Sequence, residues 1–339
     1  MTFWNVHELS RLNLFLGKAQ RDGVSDIHIN PAAGHYNIRV RINGVMNAMQ
    51  RETPESGRAL VQRIKAQAQM NLAETRCAQD GRIAAHPPDH REVRVACHPT
   101  LHGENIVIRL FAPQSLRKVE QLGVGPETRR RLLCGLETEE GLILVCGPTG
   151  AGKTSTLHAL LSEIGSVGCN VMTLEDPVEI VMAGALQTDL SQLPKMDFAN
   201  GLRSLLRQDP DIILVGEIRD SDTAQLAIEA AMTGHLVLAS LHAADKSGAM
   251  ARLDMLGLPP SRVTPHLRNL ICQRLVNSSA SGRRVPIMQI WTAATDPLGT
   301  LVWQFEDCLT EAINNSLLTP EDRPSWIAPV ATLPAGAIA

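Results

Sequence analysis

The sequence predicts an α/β protein: a domain with a parallel central sheet around a phosphate-binding loop, preceded by a smaller α+β domain. Three observations carry this. Apolar runs at 142–146, 171–174, 212–215 and 236–241 alternate with helix-length segments, the pattern of strands covered on both faces. Gly147-Pro148-Thr149-Gly150-Ala151-Gly152-Lys153-Thr154 follows the first run and satisfies G-x-x-x-x-G-K-[ST]. Residues 36–42 alternate apolar and polar and end at Asn43-Gly44, a hairpin signal.

In chain order, residues 5–22 predict a helix, with Leu9, Leu12, Phe15, Leu16 and Ala19 on one face. Strands are expected at 27–29, 36–42, 92–97 and 104–111. A helix at 56–73 carries Leu60, Val61, Ile64, Ala68 and Leu72. The polar stretch 112–124 is an expected linker, dividing an N-terminal domain, 1–111, from a second domain, 125–339. A helix at 126–136 precedes the first parallel strand. From about 260 the signal weakens, and a helical C-terminal part is expected there.

Composition bounds the function. The chain has 339 residues, 44% apolar, with a formal charge of −3, which excludes wholesale disorder and points away from nucleic acid as a partner. Aromatics at 3% leave few platforms for stacking bases. Seven cysteines, an odd count without a CxxC pair, fit reduced thiols in the cytoplasm. No run reaches the ~18 apolar residues that span a bilayer, and the N-terminus lacks a signal-peptide pattern. Membrane association is therefore expected only through a partner.

The phosphate loop carries the chemistry. Its glycines let backbone N–H groups turn inward around phosphates, and the following helix N-terminus adds positive potential. The cofactor-binding segment is thus Gly147, Pro148, Thr149, Gly150, Ala151, Gly152, Lys153, Thr154 and Ser155. Lys153 is suited to the β- and γ-phosphates of ATP, and the Thr154 hydroxyl to Mg²⁺. Hydrolysis further needs acids near metal and water. Two apolar strands end in them: Glu175, within Leu174-Glu175-Asp176-Pro177, and Glu217, within Leu214-Val215-Gly216-Glu217. In a parallel sheet such strand ends share the ligand-binding edge; a solvated strand-end carboxylate is the alternative. His235 and His242 bracket a further apolar run. Imidazole is suited to sensing a phosphate, and the pair lacks zinc-site spacing.

Taken together, GPTGAGKTST, TLEDPVE, RQDPDIILVGEIRD and TGHLVLASLH, in that order, resemble the secretion-superfamily ATPases, specifically the type II secretion and type IV pilus assembly group. Upstream, SDIHINP, RVRINGV, QDGRI, REVRV and GENIVIRL extend the resemblance over about 25–275. It implies a RecA-like P-loop ATPase domain behind a PAS-like domain, and a homohexamer. That ring would hydrolyse ATP to drive type IV pilus or pseudopilus assembly, or type II-like secretion, through a polytopic inner-membrane platform protein. A conjugation or DNA-uptake motor of the same superfamily and a retraction ATPase are the alternatives. Matched by position, Glu175 is implied as general base, and Glu217 as the acid acting at Mg²⁺ or water. His235 is implied as phosphate sensor, with His242 as companion. Arg94 and Arg109 are implied as arginines reaching the γ-phosphate; Arg82, Arg203, Arg207 and Arg219 lie in matched blocks without a ranked role. The paired-CxxC module that usually follows the run matched by 272–276 is missing, so no structural zinc is expected. A counterpart of the large first N-terminal domain of the long forms is not expected in these residues.

Overall fold

The computed structural model describes residues 24–42, 44–83, 93–110, 116–164, 168–193, 195–292 and 302–327. The expected helix at 5–22 lies outside them. The chain divides into two compact units, Met1–Gln114 and Ser115–Ala339.

The first unit is a six-stranded antiparallel sheet in the order β3-β2-β1-β6-β5-β4. Its strands are β1 (Val24–Ala32), β2 (His35–Ile42), β3 (Val45–Glu52), β4 (Gln79–Ile83), β5 (Val93–Thr100) and β6 (Gly103–Leu110). Alternation decides its faces. Ile27, Ile29, Ile38, Val95, Ile106 and Ile108 point inward with Leu60, Val61 and Ile64 of helix α1 (Pro54–Gln67), as the two-residue strand period and the helical stripe require. Thr53 caps α1 by accepting from the Ser56 N–H at 3.2 Å, with Pro54 in the first turn. The helix stops at residue 67 rather than 73. Gln69 turns left-handed (φ 57°), and the buried Lys65 ammonium donates to the Glu74 carbonyl at 2.8 Å and the Glu104 carboxylate at 2.5 Å. Those bonds hold the chain back across the helix end and leave Leu72 exposed.

The second unit is a seven-stranded sheet in the order β13-β12-β7-β11-β10-β8-β9. Strands β7 (Gly141–Cys146), β8 (Val171–Glu175), β9 (Ala185–Asp189), β10 (Ile212–Val215), β11 (Leu236–Leu241) and β12 (Leu267–Asn277) run parallel; β13 (Arg284–Thr292) returns antiparallel beside β12. Alternate residues of β7 fill two different cores, Leu142 and Leu144 one, Ile143 and Val145 the other. This is why the strand is apolar throughout.

Two expectations need correction. The region beyond 260 is not mainly helical: β12 and β13 occupy its centre, and the main helix there is Phe305–Asn314. Gln273 and Arg274 break the apolar run of β12, and Pro286 lies within β13. A buried polar residue with partners and a proline on an edge strand are both compatible with a sheet. Part of the expected linker is also built in. Val119 and Leu122 are buried in the second unit's core, and the Val119 N–H donates to Glu163 at 2.9 Å. The C-terminal helix is tied to the helix Pro126–Cys134: Glu311 accepts from the backbone N–H groups of Glu127 at 2.6 Å and Thr128 at 3.1 Å. That places an acid on a helix N-terminus.

Candidate active site

The phosphate loop leaves the end of β7 and opens helix α2 (Lys153–Ile164). Gly150 (φ 77°) and Gly152 (φ 87°) adopt left-handed backbone, which side chains with a Cβ resist. The loop is also pinned from β12. Gln273, buried, donates from Nε2 to the Ala151 carbonyl at 2.6 Å and accepts from Thr156 Oγ1 at 2.6 Å. Lys153 Nζ donates to the Gly147 carbonyl at 2.9 Å and the Pro148 carbonyl at 3.3 Å. Burial pulls its pKa down, and the negative charge of Glu217 opposes that pull.

Glu175 ends β8 with 3% of its surface exposed. Its Oε1 accepts from Thr173 Oγ1 at 2.7 Å and from Gln187 Nε2 at 3.1 Å. Its Oε2 lies 3.2 Å from His158 Nε2, an ion-pair distance. The other ring nitrogen of His158 is 2.9 Å from the Thr154 carbonyl. Since a carbonyl only accepts, that nitrogen carries a proton. Burial alone would lower the His158 pKa; the facing Glu175 carboxylate, the Thr154 carbonyl and Glu179 together hold the imidazole above its usual value. The orientation of Gln187 is fixed as well, because Nε2 donates to the Ile180 carbonyl at 2.8 Å and Oε1 accepts from the Met182 N–H at 2.7 Å.

Glu217 follows β10, where Gly216 lies so close to β8 that a Cβ there would meet the Leu174 carbonyl at 3.0 Å. Glu217 is less buried than Glu175. Oε2 accepts from Arg219 Nε at 2.8 Å, and Oε1 lies 2.9 Å from His242 Nε2. Arg219 also reaches Asp176 at 3.3 Å, so one guanidinium spans the turns beyond both acids. Donation to these carboxylates raises its pKa against the lowering effect of burial.

The structure therefore gathers Lys153, Thr154, Glu175, Glu217 and His242 at one edge of one sheet. His235 is not among them. The Gly141 N–H donates to the His235 carbonyl at 3.0 Å, so His235 sits beside the start of β7 while the phosphate loop leaves its end. Six residues of strand separate those edges, roughly 20 Å. Its Nδ1 lies 3.0 Å from the Ala230 carbonyl. Of the two histidines, His242 is the one at the edge that holds the phosphate loop. Arg94 and Arg109 stand opposite each other on β5 and β6 of the first unit. Sequence reasoning missed His158, Thr173, Gln187 and Gln273; no periodicity marks them, because each acts through a contact made only on folding. The Thr154 hydroxyl and the Glu217 carboxylate are hard oxygen donors of the kind Mg²⁺ takes alongside phosphate and water. No cluster of three or more His, Cys, Asp or Glu side chains forms a metal cage among the described residues.

Comparison with known proteins identifies what the chain is similar to. The family model described as "Type II/IV secretion system protein" matches residues 6–310. Type II secretion system protein E of Dickeya dadantii is 43% identical over 277 residues, covering 81% of this chain and 56% of that protein. Type II secretion system ATPase E of Vibrio cholerae is 40% identical over 269 residues, covering 79% of this chain and 54% of that protein. The chain thus spans little more than half the length of these relatives. Among solved structures, the Legionella pneumophila ATPase DotB superposes with a TM-score of 0.72 at 21% identity, covering 95% of each chain. The pilus retraction motor PilT gives 0.66 at 24%, covering 92% of this chain and 95% of that one. These likenesses carry the fold, RecA-like in its P-loop domain, and with the family match over most of its length they lead to one conclusion: the chain belongs to the type II/IV secretion system protein family.

Proposed function

We propose that this protein is a Mg²⁺-dependent ATPase, the motor of a type II-like secretion or type IV pilus assembly machine. The observation that supports the reading best is the convergence of the phosphate loop, Glu175 and Glu217 on one sheet edge. The loop's inward N–H groups and Lys153 bind the phosphates. Glu175 is the base that orients and deprotonates the attacking water, and Thr173, Gln187 and His158 hold its carboxylate. The Thr154 hydroxyl and Glu217 would hold the Mg²⁺, which supplies charge neutralisation at the phosphates when bound. His242 contacts Glu217 and senses the terminal phosphate. Arg94 and Arg109 add guanidiniums for that phosphate, a group they bind bidentately and at any physiological pH.

We further propose that the motor works as a homohexamer at the cytoplasmic face of the inner membrane, docked on a polytopic platform protein. No helix of the described residues is long and apolar enough to cross a membrane, and that supports docking through a partner. The test is phosphate release from ATP by the purified chain, with and without Mg²⁺, alongside sedimentation to determine assembly. A chain that binds ATP and assembles but releases no phosphate contradicts the enzymatic reading.

A further inference from the structure

On the face of the first sheet turned away from α1, cross-strand register sets out one charged row. Arg41 stands opposite Asp26, Asp26 opposite Arg109, Arg109 opposite Arg94, and Arg94 opposite Arg82. Like charges directly opposite one another on a sheet repel. Three arginines in sequence therefore need something to set their directions.

Asp26 is placed to do so at the Arg109 end. It is 6% exposed. Its Oδ2 accepts from Ser25 Oγ at 2.9 Å and lies 3.8 Å from Arg41 Nε. Arg41 is itself fixed by a 2.8 Å bond from Nη1 to the Gly44 carbonyl. The carboxylate is thus pinned on one side, and its other oxygen, Oδ1, accepts from Arg109 Nε at 2.9 Å. The Arg109 side chain nevertheless stays 61% exposed. Its guanidinium is gripped by the inner Nε edge, and its two terminal nitrogens are left for another acceptor. A pair of phosphate oxygens takes that fork bidentately.

We propose that Asp26 is a positioning residue. By holding Arg109 at Nε it fixes the direction of the Nη pair before a phosphoryl group arrives, and it offsets the repulsion from Arg94. The proposal rests on the reading of Arg109 as a γ-phosphate arginine. An arginine ordered in advance loses less side-chain freedom in the transition state, so the effect falls on kcat more than on KM.

The test is steady-state ATP turnover by the full chain with Mg²⁺. Asp26→Asn lowers kcat about tenfold with KM for ATP within about twofold. In an Arg109→Ala background the same substitution adds no further loss, because its route of action is gone. Arg109→Lys keeps the charge but lacks Nε; it loses kcat to a similar extent and is insensitive to Asp26→Asn. Wild-type kcat in folded Asp26→Asn overturns the proposal, and so does an undiminished further loss in the Arg109→Ala background. If Asp26→Asn does not fold, Arg109→Lys decides, since it changes an exposed side chain: wild-type kcat there also overturns the proposal. Wild-type kcat in Arg109→Ala would instead overturn the reading of Arg109 itself.

Discussion

Glu175 and Glu217 end neighbouring strands of one sheet, yet the protein treats them in opposite ways. Glu175 is buried and held by the hydroxyl of Thr173, the amide of Gln187 and the ring of His158. Glu217 is half-buried and meets Arg219 and His242, whose side chains are themselves about half exposed. Fixed short donors suit a group that must deliver a proton-accepting oxygen to one place. Exposed partners suit a group whose contacts exchange as ligand and metal come and go, because polar contacts in high dielectric are weak. The contrast teaches that position at a strand end does not set an acid's task; the shell around it does.

The comparison can be broken most directly at the acids. Glu175→Gln should lower kcat by at least about a hundredfold, the usual scale for a general base, with ATP affinity and assembly kept; stopped-point phosphate assays beside nucleotide binding measure both. Glu217→Gln should cost about tenfold or more, and its Mg²⁺ titration should shift to higher concentration, whereas that of Glu175→Gln should not. His242→Ala should lower turnover about tenfold and His235→Ala less than about twofold; equal losses would erase the division between the two sheet edges. Thr173→Val removes one hydroxyl from the Glu175 shell without changing volume. Denaturant unfolding should read a loss of about 1.5–3 kcal/mol, the scale of a hydrogen bond to a charged group.

The smallest expected effect concerns pH. Because the folded-state pKa of His158 is raised, the stabilisation from its pairing with Glu175 is fully present below the ordinary histidine value of about 6.5. It is lost as pH rises through the raised value. The stability gap between wild type and His158→Phe should therefore narrow as pH rises above about 6.5, measured by denaturant unfolding at each pH. A constant gap would mean that the ring acts by packing alone.

The sequence made visible those parts of the site that are local in the chain. The phosphate loop, its helix and the apolar strands before Glu175 and Glu217 each carry their signal within a dozen residues. What folding alone supplies stayed hidden. His158 meets Glu175 across 17 positions and Gln187 across 12, and nothing periodic links them. Strand β12 was obscured because Gln273 looks like a surface residue until its partners Thr156 and Ala151, more than a hundred positions upstream, are known. His235 misled for a related reason: bracketing an apolar strand puts two histidines at opposite ends of it, and only one end holds the phosphate loop. The antiparallel first sheet was legible in its hairpin, with Ile42 pairing with Val45. Strand β4, short and at the sheet edge, was seen only as a matched block.

Gln273 has a bearing on how the chain can be cut. One amide clasps both the loop and the first turn of its helix, and it is delivered by a strand that forms late in the sequence. A fragment ending near residue 260 would keep every glycine of the phosphate loop and still lose the clasp that shapes it. Nucleotide affinity in such a fragment would fall for want of a residue that lies more than a hundred positions beyond the loop it shapes.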